Sequence, residues 1–103
     1  MQSIILRDSK DRCYVCSLRC QTEEHHIFGG PDRDVSERNG LKVHLCLAHH
    51  RGTYGVHGTY GKEIADQLHE IGQRTYEFKK MEAGMSAEDA RQSFREEFRK
   101  SYL

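Results

Sequence analysis

The chain has 103 residues, of which 36% are hydrophobic and 31% charged, and its sixteen Lys and Arg balance sixteen Asp and Glu. A core of this size buries about two-thirds of the unfolded surface, which leaves room for a metal to add stability to a single polar domain. The charge balance excludes a protein held on nucleic acid by bulk charge alone, and no run of about 18 apolar residues is present to span a membrane.

The opening segment, MQSIILRDSKDR, lacks a long apolar core and a small-residue cleavage site, so no secretory signal is expected and the cytoplasm is the expected compartment. In a reducing compartment, four cysteines point to metal or catalysis rather than disulfides. The first of these, Cys13 and Cys16, form a C-x2-C turn that aims both sulfurs one way. Cys20 is expected to be a small buried or free thiol. Glu24 to Phe28 is a short extended candidate ended by Gly29, Gly30 and Pro31. A loop of roughly a dozen residues, GGPDRDVSERNG, follows. Leu41 to Leu45 alternates apolar and polar side chains, the period-two signature of a strand. A short helix should begin near Cys46. Tyr54 and Tyr60, set among Gly52, Gly55, Gly58 and Gly61, suggest a mobile loop able to contact a groove. No internal repeat is evident.

Composition changes near Gly61. Residues 1 to 60 hold all four cysteines and six of the seven histidines, and residues 61 to 103 read as a helical extension. Ile64, Leu68, Ile71, Thr75 and Phe78 recur at helical spacing and predict one apolar stripe. Gly84 is a plausible stop, and Ser86 with Asp89 resembles a capping box. A second helix to about Lys100 should bury Ala90, Phe94 and Phe98. Both helices are expected to be scaffold.

The six histidines between positions 25 and 57 are the main chemical clue. Cys46 and His49 form C-x2-H about thirty residues after the first cysteine pair. Two pairs at this spacing can close a tetrahedral structural zinc site, because i and i+3 share one face of a helical turn. His25, His26, His50 and His57 then remain. Neighbours on a strand point to opposite faces, so His25 and His26 should divide their roles, one holding a metal and the other acting on water. His44 and His69 are expected to be merely solvated. Basic residues outnumber acids between Arg33 and Arg51, and Arg33, Arg38, Lys42 and Arg51 are candidate phosphate contacts.

C-x2-C, then TEEHHIFGG, then GLKVHLCLAHH, resembles the zinc-containing HNH endonucleases, particularly the small ones of phage and prophage genomes. The resemblance covers roughly residues 13 to 57. It implies an α+β fold, with a small zinc-stabilised ββα-metal core followed here by two C-terminal helices. It also implies a DNA endonuclease with one structural Zn2+ and one catalytic divalent cation, Mg2+, Mn2+, Ni2+ or Zn2+. His26 matches the general base, His25 and His50 match metal ligands, and His57 is placed as a third ligand or a phosphate contact. DNA is the implied partner, with pairing into a homodimer or association with phage packaging or recombination proteins, inside a bacterial host cell. The family's middle Asn falls on Leu41, and the nearest asparagine is Asn39, two residues earlier. Two other functions compete: a non-catalytic zinc module that recognises DNA or protein, and an accessory subunit of a phage DNA-processing machine.

Overall fold

Two short strands anchor the first half of the chain in the computed structural model, which describes residues 1–103 as an α+β structure. Strand β1 (Glu23–His26) pairs antiparallel with β2 (Lys42–Leu45), placing His25 opposite Val43 and His26 opposite Lys42. Because side chains alternate along a strand, Leu41, Val43 and Leu45 face the core with no exposed surface, while Lys42 and His44 share the other face with Glu24 and His26.

The connection between the strands is not the irregular loop expected. A 3-10 turn, Gly30–Asp32, leads into helix α1 (Arg33–Arg38). Pro31 fits the first turn, where no backbone donor is needed. The helix has a single apolar residue, Val35, so periodicity gives no warning of it. Tertiary hydrogen bonds hold it instead. Ser36 is fully buried, and its hydroxyl donates to the Leu41 carbonyl at 2.6 Å and accepts from Phe28 N–H at 3.2 Å. One side chain thus joins the end of β1 to the start of β2.

Helix α2 (Leu47–Arg51) follows, with Cys46 at its N-cap. The glycine-rich segment after it also departs from expectation, since it is hydrogen-bonded throughout and does repeat. Gly55, Gly58 and Gly61 each donate to the glycine carbonyl three residues earlier, at 2.9, 2.8 and 3.2 Å. A Cβ on Gly58 would meet the Gly52 carbonyl at 2.0 Å, and one on Gly61 would meet the Gly55 carbonyl at 1.8 Å. Only glycine fits at these crossings. Tyr54 and Tyr60, from the two GTYG units, stack with ring centroids 5.4 Å apart.

Helices α3 (Lys62–Glu82) and α4 (Ala87–Phe98) form the hairpin that caps the core. Gly84 takes a left-handed φ of +110° between them, and Ser86 Oγ accepts the Asp89 N–H at 3.0 Å, which is the expected cap. Ala90, Phe94 and Phe98 are buried as expected. The stripe on α3 is rotated from the expected one: Leu68, Gly72, Gln73 and Tyr76 are buried, whereas Phe78 is 59% exposed. Gly72 admits Ile27 and Phe28, each 2.9 Å from where a Cβ would stand. Gln73 is buried because its amide is fully used, donating to Glu77 (2.7 Å) and Ser101 (3.0 Å) and accepting from Tyr102 N–H (2.6 Å). No helix is long and apolar enough to cross a membrane.

Candidate metal centres and the adjoining cleft

The four ligand atoms of Cys13, Cys16, Cys46 and His49 lie within 4.8 Å of one another and could hold a metal ion. The Cys13 carbonyl accepts the Ser17 N–H at 2.8 Å, with Ser17 at φ +64°, so the first pair sits in a tight knuckle. Tyr14 N–H donates to the His44 carbonyl at 2.8 Å and pins that knuckle to β2. His49 presents Nδ1, 3.2 Å from Cys46 Sγ and 3.7 Å from Cys13 Sγ. Burial pushes the Cys13 thiol up, but the backbone N–H groups of Cys46, Cys16 and Val15 outweigh it and bring it to about 7. Three sulfurs and one imidazole form the donor set of a closed tetrahedral site. Cys20 stays outside the cluster, half-buried against the core.

The second cluster joins three elements. His25 comes from β1, His50 from α2 and His57 from the glycine segment, with ligand atoms again within 4.8 Å. His57 is positioned by its own N–H, which donates to the His50 carbonyl at 3.0 Å. That fold-back brings the His57 ring into the set of possible ligands. His50 Nδ1 lies 2.8 Å from Glu23 Oε1. Arg51 first and His50 next keep that carboxyl below its ordinary value, so Glu23 only accepts and the ring proton belongs on Nδ1. The lone pair on His50 Nε2 is left for the cluster, the usual carboxylate–histidine support of a metal ligand. Burial, then His50 and His57, press His25 down to about 3, so its imidazole is neutral at ordinary pH. His57 is lowered by burial and by His50. Three imidazoles suit a borderline divalent ion such as zinc or nickel.

This cluster opens on a cleft of about 450 Å³ also lined by His26, Arg33 and His69. His69, expected to be solvated, is instead half-buried and stacked on Phe28 at 5.4 Å with the planes 12° apart. Its place on α3 beside Leu68 turns it inward. His44 is a second correction. Its ring Nδ1 lies 2.7 Å from Asp8 Oδ2, and its backbone N–H donates to Asp8 Oδ1 at 2.8 Å. The two residues are far apart in sequence, and no local pattern links them.

His26 projects from the opposite strand face to His25, as alternation requires. Its Nε2 lies 2.7 Å from Glu37 Oε1, and its side chain is only 10% exposed. Glu37 also takes Lys42 Nζ on both oxygens, at 3.0 and 3.2 Å. The Met1 ammonium, His26 and Lys42 hold its carboxyl far below the usual range. Glu37 escaped the sequence analysis because it lay in what read as a loop. Asn39 turns its amide to the Val35 carbonyl (2.9 Å) and Glu97 (3.4 Å), so it is Glu37 that contacts His26.

The four candidate phosphate contacts differ. Arg33 is exposed at the cleft and has no ion-pair partner. Arg38 reaches Glu97 at 3.9 Å. Arg51 grips Glu23 through Nε (3.0 Å) and a second guanidinium N–H. Lys42, expected to be available to phosphate, is 5% exposed and enclosed by Glu37 and Glu24, the latter at 3.2 Å.

No protein-family model, curated protein or solved structure matches this chain.

Proposed function

We propose that the protein is a metal-dependent endonuclease of the HNH type, hydrolysing DNA phosphodiester bonds, with a structural zinc held by Cys13, Cys16, Cys46 and His49. The observation that carries this is the three-imidazole cluster of His25, His50 and His57, set in a cleft that also contains His26 and the unpaired Arg33. The order β1, α1, β2, α2 supports a ββα-metal core, with the metal-facing residues on β1 and α2. A divalent ion bound there would supply Lewis-acid neutralisation of charge on the phosphate and on the leaving 3′ oxygen. His26 accepts the proton of the attacking water as general base. Arg33 holds a phosphate oxygen beside the reacting group. The products are a 5′-phosphate and a 3′-hydroxyl. With Lys42 enclosed and Arg38 and Arg51 paired at the surface with Glu97 and Glu23, the grip on DNA is local rather than spread over a basic face. An origin in a phage or prophage, the host cytoplasm as compartment, and either self-pairing or association with packaging or recombination proteins belong to the same proposal.

A non-catalytic zinc module for DNA or protein is the rival, and the leucine at position 41, where the family has asparagine, favours it. The two separate on His26. Protein stripped of metal at the histidine cluster but still zinc-loaded at the cysteines is given Mg2+, Mn2+, Ni2+ or Zn2+ singly and incubated with supercoiled plasmid, with His26→Ala in parallel. The nuclease converts plasmid to nicked or linear form and His26→Ala loses roughly 100-fold or more of that rate, the usual scale of a general base. No conversion with any metal, or equal conversion by a folded variant, leaves the binding module.

A further inference from the structure

We propose that Glu37 is the positioning residue for His26, fixing its ring and its tautomer so that Nδ1 carries the lone pair that receives the proton. This rests on the nuclease proposal for what His26 does, but the contact itself stands on geometry. The Glu37 carboxylate is an acceptor only, and a neutral imidazole has one N–H, so a 2.7 Å contact at Nε2 puts the ring proton there. His26 Nδ1 makes no hydrogen bond within the protein, and His26 is among the residues that line the cleft.

Glu37 is itself well placed to orient another group. Lys42 Nζ clamps both of its oxygens, and Lys42 is held in turn by Glu24 at 3.2 Å. The preceding residue, Ser36, is buried and bonded across both strand ends, and the Gly40 N–H closes on the Glu37 carbonyl at 3.1 Å. The carboxylate therefore has little freedom to move, and α1 is the element that brings it to β1. When water attacks, its oxygen bonds to phosphorus, its proton passes to His26 Nδ1, and the P–O3′ bond breaks with the electron pair leaving on O3′. The imidazolium so formed lies directly against a carboxylate, the arrangement that steadies a charged histidine in hydrolytic triads. The role that an asparagine near Leu41 would play in the resembled family is thus filled from a different element by a charged side chain.

The test reads the tautomer directly. Long-range 15N–1H NMR of the ring nitrogens in zinc-loaded protein should show His26 protonated on Nε2 and bare on Nδ1. In Glu37→Ala that signature should give way to exchange between tautomers, and kcat for plasmid nicking should fall roughly 10- to 100-fold with KM unchanged, less than the full contribution of a general base. Glu37→Gln, the same size but able to donate as well as accept, should also lose the single tautomer, and it covers the case in which the alanine variant does not fold. A wild-type ring protonated on Nδ1, or an unchanged Nε2–H signature in both variants, would overturn the proposal. A wild type that cuts no DNA yet shows the Glu37-dependent Nε2–H form would support the positioning role and remove the nuclease proposal alone.

Discussion

The two Cys/His and His clusters differ in one respect that decides what each can do. Cys13, Cys16, Cys46 and His49 offer four donors from a knuckle and a helix turn, with Cys13 and Cys46 buried, so a bound ion would have no place for a further ligand. His25, His50 and His57 offer three donors on the wall of a cleft. A full shell suits a staple and an incomplete one suits chemistry. The supports differ as well. Backbone turns hold the sulfurs, while Glu23 and the glycine segment aim the imidazoles.

The sharpest way to break the comparison is to remove one donor from each. Cys13→Ala should leave the first sixty residues unfolded, because structural zinc in small domains contributes on the order of 10 kcal/mol to folding. His50→Ala should keep the fold and the cysteine-bound metal while abolishing plasmid cleavage. Circular dichroism with metal analysis of both variants checks the pair, and equal unfolding would erase the distinction.

A smaller effect should follow from Gly58→Ala, whose Cβ would stand 2.0 Å from the Gly52 carbonyl. The segment must shift, at a cost of about 2 kcal/mol or more in the range of severe backbone clashes. His57 moves with it. The expected result is weaker divalent binding at the histidine cluster with unchanged metal at the cysteines, read by titration calorimetry on zinc-loaded protein.

The effect that is smallest per step is on pH. His25 is lowered from an ordinary 6.5 to about 3, so the unfolded chain binds a proton at this residue that the folded chain refuses. The contribution is complete above pH 6.5 and is lost as pH falls toward 3, at no more than about 1.4 kcal/mol per pH unit. Urea titrations of protein stripped at the histidine site, at several pH values in that window, check the slope. His25→Phe should flatten it.

Much of the site was legible because it is written at short range. C-x2-C and C-x2-H are local spacings, and strand alternation alone separates His25 from His26. The Ala90, Phe94 and Phe98 stripe was legible for the same reason. Residues fixed by distant partners were not. Helix α1 shows one apolar residue and is bounded by Gly-Gly-Pro and Asn-Gly, so only the Ser36 bridges between the strand ends betray it, and Glu37 was hidden with it. The stripe on α3 was misplaced because Gln73 and Tyr76 are buried through polar bonds that hydrophobic periodicity does not count; the Tyr76 hydroxyl, for instance, pairs with Ser93 at 2.7 Å. Asp8 and His44 meet only in the fold.

His49 turns Nδ1 to the sulfurs, while its chain neighbour His50 turns Nδ1 to Glu23 and leaves Nε2 for the other imidazoles. The two centres are therefore separated by a single peptide bond, with Cα atoms about 3.8 Å apart. That link acts as a covalent ruler. An insertion or deletion at this point cannot move one centre without displacing the other.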